Sequence, residues 1–200
     1  EGKWLLPPCP LSFTYAAAIF LPSHGSLSLF NYPLYINTVT PSEEKARLKL
    51  LLKVKDREFD TLMHDAHERA FACTDCLQCG NCCKTTGPLF TDKDITRIAK
   101  HLRMKDAAFI DQYLRTDEEG DMVLQVVPCP FLGADNYCGI YENRPKACRE
   151  YPHTDRVKQK QILDLTIKNE KICPAVELIL KDVTALVNAS SKKPNNAGRR

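Results

Sequence analysis

The sequence predicts a mainly α-helical fold with a small β element, an α+β arrangement in one cysteine-rich domain over residues 42–188. Three observations predict it. Apolar residues recur at three- and four-residue spacing along several stretches, some opened by helix-start signals. Two short stretches alternate apolar and polar residues as half-buried strands do. Nine of the ten cysteines fall between residues 73 and 173, in the segments that separate the periodic stretches.

Composition supports a globular chain. Of 200 residues, 44% are hydrophobic and 26% charged, which excludes disordered and membrane-embedded classes. A net charge of +3 and a pI near 8.3 are too mild for a nucleic-acid or anionic-membrane binder. Neither partner is expected.

Residues 1–41 differ from the rest. No Asp, Glu, Lys or Arg occurs between Trp4 and Ser42, and 51 of the 53 charged residues follow from Glu43 onward. Six prolines from Pro7 to Pro41 interrupt this apolar segment. No uninterrupted run reaches the roughly 20 residues that span a bilayer. Residues 11–21 resemble a signal-peptide core, but the first Met is Met63. The segment is expected to be a disordered extension, or sequence upstream of the true start, rather than a signal or anchor. Its Cys9 is set apart from the site. At the other end, residues 189–200 are expected to form a solvated tail.

Between these ends the elements follow in order. Pro41-Ser42-Glu43-Glu44 is a helix start with acidic residues in the first turn. Leu48, Leu51, Phe59, Leu62, Met63, Ala66 and Ala70 continue at helical spacing, so one helix is expected over 42–70. Thr91-Asp92-Lys93-Asp94 resembles a capping box, and Ile95, Ile98, Ala99 and Leu102 place a second helix behind it. Residues 105–114 read as a third, short helix. Glu118-Glu119-Gly120-Asp121 is a turn, and 122–127 reads as a strand. Leu163, Leu165 and Ile167 alternate with Asp164, Thr166 and Lys168 as a second strand, expected to pair with the first. Pro174 suits the first turn of a last helix, whose Val176, Ile179, Leu180, Val183 and Val187 form one apolar stripe.

The chemistry lies in the cysteines. Cys73, Cys76, Cys79, Cys82 and Cys83 fall within eleven residues, C-T-D-C-L-Q-C-G-N-C-C. Cys129 follows in C-P-F-L, Cys138 in C-G-I-Y, Cys148 in R-P-K-A-C-R-E-Y-P and Cys173 in I-C-P. Two Cys separated by two residues can direct both sulfurs at one metal when the backbone between them turns tightly. Gly80 eases such a turn because it tolerates positive φ. Several such steps in a row offer more thiolates than one tetrahedral ion accepts. The surplus implies a multi-iron cluster, or two metals sharing bridging thiolates. Cys73-x2-Cys76-x2-Cys79-x3-Cys83 has the cysteine spacing of a bacterial ferredoxin run, but Lys84 stands where that run has Pro, and there is one run rather than two. A disulfide framework fits poorly, because cysteines so close in sequence would close very short or strained rings.

Lys84, Arg144 and Arg149 flank these cysteines and are expected to lower thiol pKa values and to compensate a negative cluster. His153, five residues after Cys148, is the best histidine candidate for an extra ligand, although a loop role is favoured. His64 and His67 are read as surface. Tyr141 and Tyr151 are expected to cover the site.

These motifs, C-x2-C-x2-C-C at 76–83 with C-P-F-L, C-x-I-Y, R-P-x-x-C-R-x-Y-P and a late cysteine, resemble the CxxCxxCC cysteine-cluster family of YkgJ type, a zinc- or iron-chelating domain. The resemblance covers about residues 70–175. It implies that Cys76, Cys79, Cys82, Cys83, Cys129, Cys138, Cys148 and Cys173 are ligands. Cys73 lies beyond the family's core motif and is added on spacing alone. The resemblance also implies a cytoplasmic protein. Some members have been labelled iron–sulfur oxidoreductases, and a related cluster occurs in flagellin lysine methylases.

The expected function is chelation of zinc or an iron–sulfur cluster by eight or nine thiolates, with the metal organising the fold. Zinc and iron both accept tetrahedral thiolates, so the sequence does not choose between them. Closed all-cysteine coordination favours a structural site, since catalytic zinc keeps an open position. The alternative is an iron–sulfur redox protein or electron carrier. A methylase-like modifying enzyme ranks last: the eight Gly are scattered, and none forms a nucleotide loop. No catalytic residue is assigned.

Overall fold

The computed structural model describes residues 39–191. Expectations for the segment before residue 39, Cys9 included, and for the tail after residue 191 lie outside the described residues. Every described residue belongs to one compact unit.

The first helix, α1 (Pro41–Leu51), opens on a capping box. The Thr40 hydroxyl accepts from the Glu43 N–H, while the Glu43 carboxylate accepts from the Thr40 N–H at 2.8 Å. The single helix expected over 42–70 is two. The chain breaks after Leu51 and restarts as α2 (Asp56–Phe71). No Gly or Pro marks the break. A distant cation makes it: Lys160 Nζ donates to the carbonyls of Leu52 and Val54 and pairs with Asp56 at 2.8 Å. Both carbonyls lie in the non-helical link between the two helices.

Two one-turn helices follow, α3 (Cys76–Cys79) and α4 (Asn81–Thr85), then β1 (Leu89–Phe90), α5 (Asp92–His101) and α6 (Asp106–Tyr113). The capping box at Thr91 forms as predicted, with Asp94 as its acidic partner. Next come β2 (Leu114–Thr116), a turn in which Gly120 takes φ +89°, and β3 (Met122–Leu124). The sheet is antiparallel in the order β1-β3-β2, with Val123 opposite both Leu89 and Arg115. The cysteine-bearing α7 (Lys146–Glu150) precedes α8 (Leu163–Glu170) and α9 (Pro174–Ser191). The last helix thus runs three residues into the stretch expected to be tail.

The second strand expected around Leu163 is instead α8, and the partners of β3 are β1 and β2. In α8, Leu163, Thr166, Ile167 and Glu170 are buried while Leu165 is 44% exposed. Burial therefore follows i, i+3, i+4, i+7, and the apolar alternation never corresponded to an inside and an outside. The α9 stripe is as expected, with Val176, Ile179, Leu180 and Val183 fully buried.

Two apolar clusters result. The first gathers α1, α2, α8 and α9 around Phe59, Met63, Leu163, Ile179 and Leu180. The second gathers α5, α6 and the sheet around Phe90, Ile98, Phe109, Leu124 and Ile140. The helices of the first group make no extensive contact with the elements of the second. The segments that run between the groups carry every free cysteine except Cys173, which lies in the turn between α8 and α9. Asp94, 1% exposed, fixes the position of one of them. It accepts from Arg97 at 2.6 Å and from the Lys146 N–H at 3.1 Å, which holds α7 against the start of α5.

Candidate metal centre

The cysteine-rich stretch folds around one residue. Gly80, at φ +56°, closes α3 and opens α4. The bend is tight, because a Cβ there would lie 3.3 Å from Asn136. This is the turn that the Gly80 expectation called for. Asp75 caps α3 by accepting from the Leu77 N–H at 2.9 Å.

Hydrogen bonds draw the distant cysteines to this bend. The Cys129 N–H donates to the Cys83 carbonyl at 2.7 Å. Asn136 Nδ2 donates to the Gln78 carbonyl at 2.9 Å, pinning the loop whose Cys138 bridges Leu132. Asn81 Nδ2 donates to the Ile172 carbonyl at 2.6 Å, bringing in the turn that carries Cys173. Cys148 sits in α7, held through Asp94. Asn81 and Asn136 were not singled out from the sequence. Asn136, at φ +65°, had a signal: Asp135-Asn136 in a Gly-containing loop is turn chemistry.

Eight thiols, at Cys76, Cys79, Cys82, Cys83, Cys129, Cys138, Cys148 and Cys173, are free. Six of them line one cavity of about 460 Å³, and Cys79 and Cys173 lie outside its lining. Cys73 is exposed and disulfide-bonded, which removes its sulfur from the available donors. Among the described residues, no three His, Cys, Asp or Glu side chains already converge closely enough to hold an ion. Neutral thiols have no reason to do so; thiolates converge when a cation offsets their repulsion.

Their protonation follows from burial. Desolvation pushes Cys76 and Cys138 up, Cys129 and Cys173 up to about 11, and Cys148 up to about 12. Cys82 and Cys83 form a coupled pair. The Cys82 S–H donates to Cys83, which raises Cys82 and lowers Cys83 to about 7. Arg144 and Lys84 also favour the Cys83 thiolate.

Of the three expected cations, Arg144 is the best placed. Its guanidinium lies 3.4 Å over the Tyr141 ring and its charge lowers Cys76, Cys83, Cys138 and Cys148. Lys84 Nζ donates to the Cys79 carbonyl at 3.3 Å. Arg149 lines the cavity but donates to the Arg144 carbonyl, so it acts by positioning Arg144. His153 lines the cavity, and burial lowers its pKa. His67, read as surface, is instead half-buried, held by Thr154 at 2.8 Å with its ring tilted 4.4 Å from that of Phe71, while His64 is exposed.

Tyr141 and Tyr151 both line the cavity. The Tyr151 hydroxyl is buried without a hydrogen-bond partner. Burial pushes its pKa up, and the neighbouring Cys173, Cys82, Cys79 and Cys76 add to the rise. This donor set fits a thiophilic metal. It supplies eight soft sulfurs, and a metal-bound thiolate would accept the hydrogen bond that the Tyr151 hydroxyl lacks.

A family model described as "Putative zinc- or iron-chelating domain", CxxCxxCC, matches residues 75–174, half of the chain. No curated protein and no solved structure matches. Among the described residues, no helix is long and apolar enough to cross a membrane.

Proposed function

Because this chain belongs to the CxxCxxCC family of zinc- or iron-chelating domains, we propose that its eight free thiols bind zinc or iron and that the bound metal joins the two core clusters into one working fold. One observation carries this reading. Seven of the eight thiols lie on the two segments, 72–88 and 125–162, that connect the clusters, Asn81 ties the first of these segments to the α8–α9 turn that carries Cys173, and the clusters themselves make little contact. Such a domain gains its cohesion from metal, and metal free energy becomes folding free energy.

The residues divide the work. The eight cysteines donate sulfur. Arg144 offsets the negative charge that accumulates as thiols ionise. Tyr151 and Tyr141 screen the sulfurs from water, and Asn81 and Asn136 fix the loops that deliver them. Binding must displace the protons that burial holds on Cys129, Cys148 and Cys173, so uptake releases protons and weakens as pH falls. A bound metal of this type supplies cross-linking if it is zinc, and one-electron chemistry as well if it is an iron–sulfur cluster.

Anaerobic purification of the chain, with elemental analysis and an absorption spectrum on one sample, tests the reading. Zinc, or iron with matching sulfide and a broad band near roughly 400 nm, is the expected result. Neither metal, with the eight thiols paired as disulfides, would contradict it.

A further inference from the structure

We propose that Asp94 and Arg97 are positioning residues for the metal centre: from α5 they grip residues 144–146, and so fix where α7 presents the Cys148 thiol and where Arg144 presents its guanidinium. The proposal rests on the metal-binding reading and goes beyond it in giving this work to two residues that bear no sulfur.

Apolar burial does little for α7. The helix lies against β1, yet none of its five residues is buried, and a helix of that length is not stable by itself in water. Its fastening is polar. Among the described residues, the hydrogen bonds that reach residues 144–150 from elsewhere in the chain come from Asp94 and Arg97. The Lys146 N–H donates to Asp94 Oδ1 at 3.1 Å, and Arg97 Nη2 donates to the Arg144 carbonyl at 2.8 Å. The same Nη2 donates to Asp94 Oδ1 at 2.6 Å, so both grips issue from one ion pair, and its carboxylate is buried, at 2% exposed. The other oxygen of Asp94 serves α5 itself. Oδ2 accepts from the Thr91 N–H at 3.1 Å and from the Thr91 hydroxyl at 2.7 Å. One carboxylate thus caps α5 with one oxygen and holds α7 with the other.

The grip bears on the site. Cys148 stands two positions after Lys146, in a helix little more than one turn long, so anchoring the first N–H of α7 orients the thiol. The Cys148 N–H completes the turn by donating to the Pro145 carbonyl at 3.0 Å. The gripped Arg144 carbonyl belongs to the residue whose guanidinium lies 3.4 Å over the Tyr141 ring, and Arg144 and Cys148 line the same cavity. Partners that orient a metal ligand from outside the coordination shell are worth about 10–100-fold in metal affinity.

Three variants of the full chain test this. Lys146→Pro deletes the donated N–H and leaves the backbone path open. The first position of a helix tolerates proline, and Pro145 before it is already extended, at φ −57° and ψ 155°, as a residue before proline prefers. Lys146→Ala keeps the N–H and removes only a side chain whose pairing with Glu150, at 3.6 Å, is exposed. Arg97→Met removes the guanidinium and leaves Thr91 and Asp94 to cap α5. Each chain is saturated with zinc under reducing conditions. Zinc affinity is read by competition with a chromophoric chelator, and the accessibility of each thiol by iodoacetamide labelling with mass spectrometry. Lys146→Pro and Arg97→Met should each bind zinc about tenfold more weakly than the wild type. Both should label Cys148 faster while the other seven thiols keep their wild-type rates. Lys146→Ala should match the wild type in both readouts. Wild-type affinity and wild-type Cys148 labelling in Lys146→Pro and Arg97→Met would overturn the proposal. An even rise in labelling over all eight thiols, the mark of a general loosening of the scaffold, would overturn it too, as would a loss in Lys146→Ala equal to that in Lys146→Pro. A wild type that binds no zinc and is isolated without iron contradicts the metal reading itself, and the proposal with it.

Discussion

Stripping the metal under reducing conditions should leave α1, α2, α8 and α9 largely protected from hydrogen exchange while the cysteine segments and the second cluster lose protection. The reason is the uneven distribution of apolar burial. The first cluster holds twelve buried residues and the second eight. Among the described residues, segments 72–88 and 125–162 run between them, and hydrogen bonds such as His67 to Thr154 at 2.8 Å and Asn81 to Ile172 at 2.6 Å tie those segments to the first group. A structural four-thiolate centre supplies on the order of 10 kcal/mol of folding free energy, as much as the whole stability of an ordinary domain. Its loss should therefore be the largest single perturbation available to this chain. Exchange mass spectrometry before and after chelation reads the effect segment by segment. Uniform protection in both states would mean that the clusters hold together without metal.

Phe109→Ala should cost about 3–5 kcal/mol, measured by urea denaturation of the metal-loaded chain. Phe109 is fully buried. Its ring lies 6.0 Å from Phe90, 5.2 Å from Tyr113 and 6.3 Å from the stacked Phe131. Phe131 is the aromatic residue of C-P-F-L, two positions after Cys129, so the cavity left by truncation opens directly under the loop that carries Cys129 and Cys138. The variant should accordingly bind metal less tightly than the wild type. A loss below about 1 kcal/mol would show that the loop does not depend on this aromatic stack.

What the sequence reveals depends on whether its signal is local. The capping box at Thr91, the turn at Gly80 and the α9 stripe are decided by residues within a few positions of one another, and all three form as read. The break after Leu51 is decided by Lys160, more than a hundred residues away, and no local residue announces it. The strand reading of Leu163, Leu165 and Ile167 failed because Thr166, Asn169 and Glu170 are buried polar residues on the inner face of α8. Their polarity concealed the helical period. The strands β1 and β2, two and three residues long, are too short to show any alternation. At the site, residue type and spacing pointed to nine cysteines, Cys73 among them, because cysteines recurring every third position from Cys73 to Cys82 offer sulfur at the interval that metal coordination uses; the eight without Cys73 came from the family resemblance. How the later cysteines reach the bend could not be read there, since the hydrogen bonds that bring them in come from Asn81 and Asn136 to carbonyls distant in sequence.

X-ray absorption at the metal edge of the purified chain shows directly whether the cysteines hold the metal. A first shell of sulfur alone, about four atoms at about 2.3 Å, is expected. A shell dominated by nitrogen or oxygen at about 2.0–2.1 Å would place the metal away from the cysteines and contradict thiolate binding.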